Sequence, residues 1–165
     1  MAKEQSFDIV SNVDLQEVDN AFQQTRKEVS QRYDLKDSGS TIDFDKQGKT
    51  ITILAPSDFV AGQVADIVES KLVKRGIDLK ALSWSAPQSA SGGMVRKTAS
   101  IVEGIDRDKA AAINKDIKAG KYKVKVTIEG DKLRVSSASR DTLQEVISFL
   151  KSQDYGQPLQ YTNYR

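Results

Sequence analysis

The sequence predicts an α+β fold in which one order of elements, strand-helix-strand-strand-helix-strand, occurs twice. Three observations support this. Each half contains two short alternating segments separated by a turn, within residues 41–54 and 121–136, which predict β-hairpins. A serine-capped amphipathic helix follows each hairpin. A segment rich in Pro, Gly and Ser, residues 86–93, lies between the halves and is predicted to be a linker. This order is the split βαβ, or ferredoxin-like, arrangement in duplicate, with helices on one face of each sheet and the other face open.

The first half begins with an alternating segment at residues 7–13, which predicts a strand. Asp14 is predicted to cap the next helix, with Glu17 in the position of a capping box. The predicted buried face of this helix comprises Leu15, Val18, Phe22, Val29 and Tyr33. The hairpin strands 41–45 and 50–54 are predicted to face inward through Ile42, Phe44, Ile51 and Ile53. A helix capped by Ser57 follows, with a predicted buried face of Phe59, Val60, Val64, Ile67, Val68 and Leu72, and a strand near residues 79–85 closes the half.

The second half repeats this order after the linker. Residues 94–103 predict a strand, and Asp106 caps a helix that ends at Gly120. The second hairpin follows, then a helix capped by Ser139, and finally a terminal strand at residues 159–165. Each half thus contains every element that a ferredoxin-like unit needs.

Composition excludes several classes of chemistry. The 165 residues contain no cysteine and no histidine. A disulfide framework and a thiolate metal site are therefore impossible, and the commonest general base is missing. Carboxylates are scattered without an acid-base or metal-ligand spacing, so we expect no enzyme activity and no cofactor. There is no apolar run of membrane-spanning length and no secretion signal, so we expect a cytoplasmic protein without a membrane partner.

Charge is unevenly distributed along the chain. The formal net charge is +2, of which residues 1–83 contribute −3 and residues 84–165 contribute +5. An anionic partner is therefore expected to approach the second half.

The strongest candidate site is the second hairpin. Val124, Val126, Ile128, Leu133 and Val135 alternate with polar positions, so one face is aliphatic, and the other carries the cations Lys123, Lys125, Lys132 and Arg134. Two interpretations are open. The cations are the solvated side of a half-covered sheet, or they form a phosphate-binding surface held on rigid strands. The second interpretation requires that no helix covers them and that no neighbouring acid neutralises them.

Other candidates are weaker. Arg96 follows Ser91-Gly92-Gly93, where backbone N–H groups could cradle a phosphate, although a flexible linker is the better explanation of the glycines. Trp84 and Tyr161 are candidates for stacking a base, against the alternative that each packs in a core. Strand alternation places Tyr161 and Tyr164 on opposite faces, so that one could stack and the other must pack.

Several separated segments resemble one family. They are SFDIVSNVDLQEV (6–18), KLVKRGID (71–78), EGIDRDKAAAINKDIK (103–118), GDKLRVSSASRDTLQEVI (130–147) and PLQYTNYR (158–165). In order and over nearly the whole chain, these are similar to the YajQ family of bacterial nucleotide-binding proteins. The resemblance implies two ferredoxin-like domains with exchanged first strands, so that residues 6–13 would pair in the second domain's sheet and residues 94–103 in the first's. It implies no catalytic residues.

The expected domains and functions follow from these two lines of argument. The first domain is expected at residues 14–104 and the second at 1–13 with 105–165; the contiguous alternative is 1–86 and 94–165. The expected function is non-enzymatic binding of a nucleotide or RNA through phosphate contacts of the hairpin. The alternative, which the family resemblance implies, is a cyclic dinucleotide sensor that regulates transcription through a protein partner. A third hypothesis is a plain protein-interaction module.

Overall fold

The chain forms two compact units, each built around its own antiparallel sheet. The computed structural model describes residues 4–165. Val13–Val102 form one unit, called here the central unit. The segment that ends at Asn12 and the segment Glu103–Arg165 together form the other, called here the split unit.

The central unit contains two helices and a sheet with strand order β2-β3-β6-β4. Its elements are α1 (Leu15–Gln31), β2 (Thr41–Asp45), β3 (Thr50–Ala55), α2 (Asp58–Lys74), β4 (Leu82–Trp84), β5 (Gln88–Ser89) and β6 (Val95–Ile101). Both helices begin where the sequence predicts. The Asp14 carboxylate accepts hydrogen bonds from the backbone N–H groups of Gln16 and Glu17, and the Ser57 hydroxyl accepts one from that of Val60.

The core of the central unit lies between the helices and one face of the sheet. Ile51, Ile53 and Ala55 of β3 are buried together with Val64, Val68 and Leu72 of α2, as the alternation of β3 and the period of α2 require. The opposite face of β3 carries Thr50 and Thr52 and remains partly accessible.

The split unit has the same plan, with strand order β7-β8-β1-β9. Its elements are β1 (Gln5–Val10), α3 (Arg107–Ala119), β7 (Lys125–Glu129), β8 (Lys132–Ser137), α4 (Arg140–Lys151) and β9 (Gln160–Thr162). Asp106 and Ser139 cap α3 and α4 through the backbone N–H groups of Lys109 and Thr142. The aliphatic sides of β1 and β8 pack against both helices, and the cluster includes Phe7, Ile9, Leu133, Val135, Ile113 and Leu143.

Each sheet contains the first strand of the other half of the sequence. β1 pairs with β8, so that Phe7 lies opposite Val135 and Ile9 opposite Leu133. β6 pairs with β3 in the central unit. Complete burial of an aromatic or aliphatic side chain stabilises a fold by about 1.5–3 kcal/mol, so Phe7 and Ile9 tie β1 firmly to this sheet. The predicted fold class, α+β with two ferredoxin-like units, is confirmed.

Three predicted inward positions are wrong. Phe59 is 75% exposed because it lies on the side of α2 opposite the core-facing Ala61 and Leu72. Tyr33 is 91% exposed because α1 ends at Gln31. Ile128 is 45% exposed, since β7 is an edge strand and this residue is near its turn.

The predicted linker is partly ordered into the sheet. Gln88 and Ser89 form β5 and pair with Arg96 and Val95 of β6. The chain reverses through Gly92 and Gly93, which both adopt positive φ values of 73° and 72°, a conformation that glycine reaches without strain. Residues 88–93 are therefore a short hairpin arm of β6.

Two substitutions on α2 separate buried from exposed apolar positions. Leu72 is fully buried, so Leu72→Ala should lower the free energy of unfolding by about 2–5 kcal/mol. Phe59→Ala removes a larger side chain but should change it by less than about 0.5 kcal/mol. Urea denaturation followed by circular dichroism measures both. Equal losses for the two variants would contradict the observed orientation of α2.

Candidate functional site

Lys125, Lys132 and Arg134 lie on the sheet face of the split unit that is opposite the helices. Lys123 precedes β7, between Tyr122 and Val124, which both pack against the core. Lys125 lies opposite Ser136, Thr127 opposite Arg134, and Glu129 opposite Lys132. On the other side of β8, Arg134 lies opposite Asp8 of β1. We call this surface the polar face; it comprises Ser6, Asp8, Lys123, Lys125, Thr127, Glu129, Lys132, Arg134, Ser136 and Thr162.

Two of the four cations are paired with carboxylates. Arg134 Nε donates to Asp8 Oδ1 at 3.0 Å, and Arg134 Nη1 lies 3.6 Å from Glu129 Oε1. Lys132 Nζ lies 3.6 Å from Asp8 Oδ2. The expectation of four uncompensated cations is therefore met only in part, because β1 inserts an acid beside β8.

Asp8 is the centre of this arrangement and was not anticipated as a functional residue. Its side chain is 1% exposed, and Asn163 Nδ2 donates to its second oxygen at 2.8 Å. Burial acts to raise the pKa of the Asp8 carboxyl, but the hydrogen bonds from Arg134 and Asn163 and the charges of Arg134 and Lys132 outweigh burial and lower that pKa. Asp8 is thus an ionised, preorganised anchor for Arg134.

Lys123 and Lys125 differ from the other two cations. Both are exposed, and neither forms an ion pair with any residue of 4–165. The Lys123 carbonyl accepts a hydrogen bond from Ser137 Oγ at 3.0 Å, which fixes the backbone just before β7. These two ammonium groups are free to meet an external anion.

Arg96 belongs to the central unit. It is exposed on β6, opposite Leu54 of β3 and Gln88 of β5. Its neighbours within this unit are therefore an aliphatic and an amide side chain.

Trp84 and Tyr161 both lie on helix-covered faces. Trp84 is opposite Ala99, packs on the core of the central unit, and has Lys97 Nζ 5.5 Å from its ring centroid. Tyr161 is opposite the buried Ile9, and its ring meets that of Phe7 edge to face at 6.1 Å. Burial, and secondly Tyr164, raise the pKa of the Tyr161 phenol. Packing accounts for the position of both rings.

Tyr164 is the exposed aromatic at this end of the chain, with 61% of its surface accessible. Its ring also contacts Phe7, at 6.3 Å between centroids, so Tyr161 and Tyr164 lie on the same side of the sheet. The predicted opposite orientation is wrong because Asn163, at φ 56°, interrupts the alternation.

Candidate metal centres and membrane-spanning helices are both absent from the described part of the chain. Residues 4–165 contain no group of three or more Asp, Glu, His or Cys side chains placed to hold a metal ion. None of the helices in the same range is long and apolar enough to cross a bilayer.

The fold and this surface define a class: an α+β protein of two ferredoxin-like units, one of which presents a hairpin with two unpaired cations. Comparison with known proteins identifies the family. A family model described as "Nucleotide-binding protein YajQ-like" matches residues 5–165. A protein of Desulfitobacterium hafniense named "Nucleotide-binding protein" is 48% identical over 165 residues, 100% of both chains. Proteins with the same name from Geotalea uraniireducens and Chloroherpeton thalassium are 49% and 44% identical over 160 residues, 97% of this chain and 98% and 97% of theirs. The chain belongs to the YajQ-like family.

The Asp8 anchor can be tested by its effect on stability. In Asp8→Asn the amide oxygen can still accept from Arg134, but the amide N–H groups would face the donor of Asn163. We expect a loss of roughly 1.5–3 kcal/mol in the free energy of unfolding at neutral pH, the range for a hydrogen bond to a charged group. Asp43→Asn, an exposed carboxylate on β2, is the control and should change stability by less than about 0.5 kcal/mol.

The stabilisation by the Asp8 carboxylate should depend on pH, in a direction set by its lowered pKa. Because folding lowers the pKa of Asp8, its contribution is fully present above its ordinary value of 3.8 and disappears as the pH falls through the lower value of the folded protein. The stability difference between wild type and Asp8→Asn should therefore shrink in acid. Urea denaturation of both proteins at several acidic pH values measures this difference. A difference that stays constant would contradict a stabilising role for the ionised Asp8 carboxylate.

Proposed function

We propose that this protein is a non-enzymatic cytoplasmic protein that binds nucleotides or RNA, with phosphates held on the polar face of the split unit. The ligand class is supported by the relatives, which are named nucleotide-binding proteins. The observation that carries the proposal is the pair Lys123 and Lys125. Both are exposed, both lack an ion-pair partner within residues 4–165, and both are part of a hairpin whose opposite side is packed in a core.

The paired cations have a different role in this proposal. Arg134 uses Nε for Asp8 and Nη1 for Glu129, so its Nη2 group is left to donate to a phosphate oxygen. Asp8 holds the guanidinium in place and reduces its net charge. Lys123 and Lys125 therefore supply most of the attraction, while Arg134 adds a positioned donor. Arg96 is a further candidate contact on the central unit.

The proposal makes a quantitative prediction for salt dependence. Each neutralised phosphate of a single strand contributes about −0.7 to the slope of log K against log salt. Replacing two free lysines in Lys123→Gln/Lys125→Gln should therefore make the slope shallower by about 1.4 and weaken binding. Fluorescence anisotropy with a labelled single-stranded RNA of mixed sequence, titrated at several salt concentrations, measures both quantities.

A matched control is available on α3. Lys115→Gln/Lys118→Gln removes the same charge from exposed positions of the same unit, on a helix that packs against the other side of the sheet. Its slope should equal that of the wild type. If both double variants make the slope of log K against log salt shallower by the same amount, net charge and not the polar face determines the salt dependence, and the proposal fails.

The cyclic dinucleotide sensor acting through a transcription-related protein remains the alternative, and it predicts a different result. Calorimetry would then give saturable one-to-one binding of a cyclic dinucleotide that Lys123→Gln/Lys125→Gln does not change. A plain interaction module predicts that neither RNA nor any nucleotide binds.

A further inference from the structure

A cavity in the split unit combines an aromatic ring with two arginines. It has a volume of about 350 Å³, within the range of small-molecule sites. It opens beside the first residues of β1 and α4. Its wall includes Tyr164, Arg140, Arg165, Gln5 and Gln144. No carboxylate side chain is part of this wall.

A β-bulge turns Tyr164 into this cavity. Asp8 lies opposite Thr162, whereas Ser6 exchanges both backbone hydrogen bonds with Arg165, at 3.3 and 3.0 Å. Two residues, Asn163 and Tyr164, therefore face one residue of β1. Asn163 has φ 56°, which asparagine tolerates better than most residues, and its side chain is held by Asp8. Bulges of this kind redirect a side chain at a sheet edge.

The Tyr164 ring is oriented yet accessible. The fully buried Phe7 supports it at 6.3 Å with an interplanar angle of 34°, and 61% of the residue remains exposed. Core packing does not account for a large aromatic side chain with this exposure. A supported ring with an open side is the geometry on which nucleic-acid bases stack.

The arginines of the cavity wall are unpaired. Within residues 4–165, neither Arg140 nor Arg165 forms an ion pair, and both are exposed. Arg140 is the first residue of α4, where the helix dipole disfavours a cation, so helix electrostatics do not explain its position. The side-chain amides of Gln5 and Gln144 add hydrogen-bond donors and acceptors to the same wall.

A second cavity shows why the aromatic ring matters. It lies in the central unit, has a volume of about 570 Å³, and its wall includes Arg26, Lys27 and Lys36. No aromatic side chain belongs to that wall, so it offers charge without a stacking surface.

We propose that the cavity of the split unit holds one nucleotide, with the base stacked on Tyr164, the phosphate bound by Arg140, and the base edge met by Gln5 or Gln144. This inference rests on the proposed function for the ligand class, and adds a site separate from the hairpin cations. It assigns the base to Tyr164, where the sequence had indicated Tyr161 as the stacking residue.

The test uses the full chain and isothermal calorimetry with AMP, GMP, CMP and UMP, and with adenosine and inorganic phosphate as partial ligands. AMP should bind one to one and more tightly than UMP, because a purine offers the larger stacking surface. Tyr164→Ala should weaken AMP binding by about tenfold or more, the loss typical of one base-aromatic stack. Tyr164→Phe keeps the ring and should remain within about twofold of wild type.

Two further variants test the phosphate contact and control for a loss of folding. Arg140→Gln should weaken binding of AMP but not of adenosine. Tyr164→Leu retains an apolar contact with Phe7 without a π-face, so it should lose AMP binding while thermal unfolding stays near that of wild type. This variant keeps the test decisive if Tyr164→Ala disturbs the bulge.

The outcomes distinguish this inference from the proposed function. AMP binding that is lost in Tyr164→Leu and kept in Lys123→Gln/Lys125→Gln supports the cavity. If no mononucleotide binds at up to about 1 mM, or if Tyr164→Leu binds AMP as wild type does, the cavity inference is overturned. In that case, an RNA salt slope that still depends on Lys123 and Lys125 would support the proposed function without the cavity. A salt slope that does not depend on these lysines would contradict both proposals.

Discussion

The insertion of β1 between β8 and β9 determines both sides of the sheet in the split unit. Its odd-numbered residues Phe7 and Ile9 complete the core, and the even-numbered Asp8 enters the polar face between Arg134 and Thr162. A shift of one residue in this register would bury Asp8 in the core and expose Phe7, so the apolar pair fixes the position of the acid. The charge pattern of the face is therefore a consequence of core packing.

The presence of Asp8 changes how the cationic face should be understood. A row of four unpaired cations would attract any polyanion, and its affinity would depend steeply on salt. With Arg134 and Lys132 held by Asp8, and Arg134 also near Glu129, the free charge is concentrated at Lys123 and Lys125. Such a face favours a ligand that brings a phosphate near β7, and it penalises an anion placed directly over Asp8. Pairing with Asp8 weakens the attraction of Arg134 for a phosphate, but it also fixes the guanidinium in position to donate a hydrogen bond.

Local signals in the sequence predicted most of the fold. The hairpins and the caps at Asp14, Ser57, Asp106 and Ser139 depend on residues close together in the chain, and these elements are present where expected. The site was predicted less well because its contacts are remote. Asp8 and Arg134 are 126 residues apart. The alternating pattern around Phe7 indicated only that Asp8 is on a polar side, and nothing local indicated that this side meets the hairpin; the exchanged strands came from the family resemblance. Alternation places Tyr161 and Tyr164 on opposite faces, but it assumes a regular backbone, which the positive φ of Asn163 interrupts.

The Asp8 carboxylate takes part in both features that the sequence did not predict, the pairing of Arg134 and the orientation of Tyr164. One oxygen of Asp8 receives Arg134, and the other receives Asn163, whose backbone forms the bulge that redirects Tyr164. The ionised carboxylate can accept both bonds at once, whereas a protonated or amide side chain would present a donor to one of its two partners. The position of Arg134 on the polar face and the shape of the strand beside the cavity thus depend on a single buried charge. Because that charge is placed by Phe7 and Ile9, the hydrophobic core ultimately sets the geometry of both surfaces.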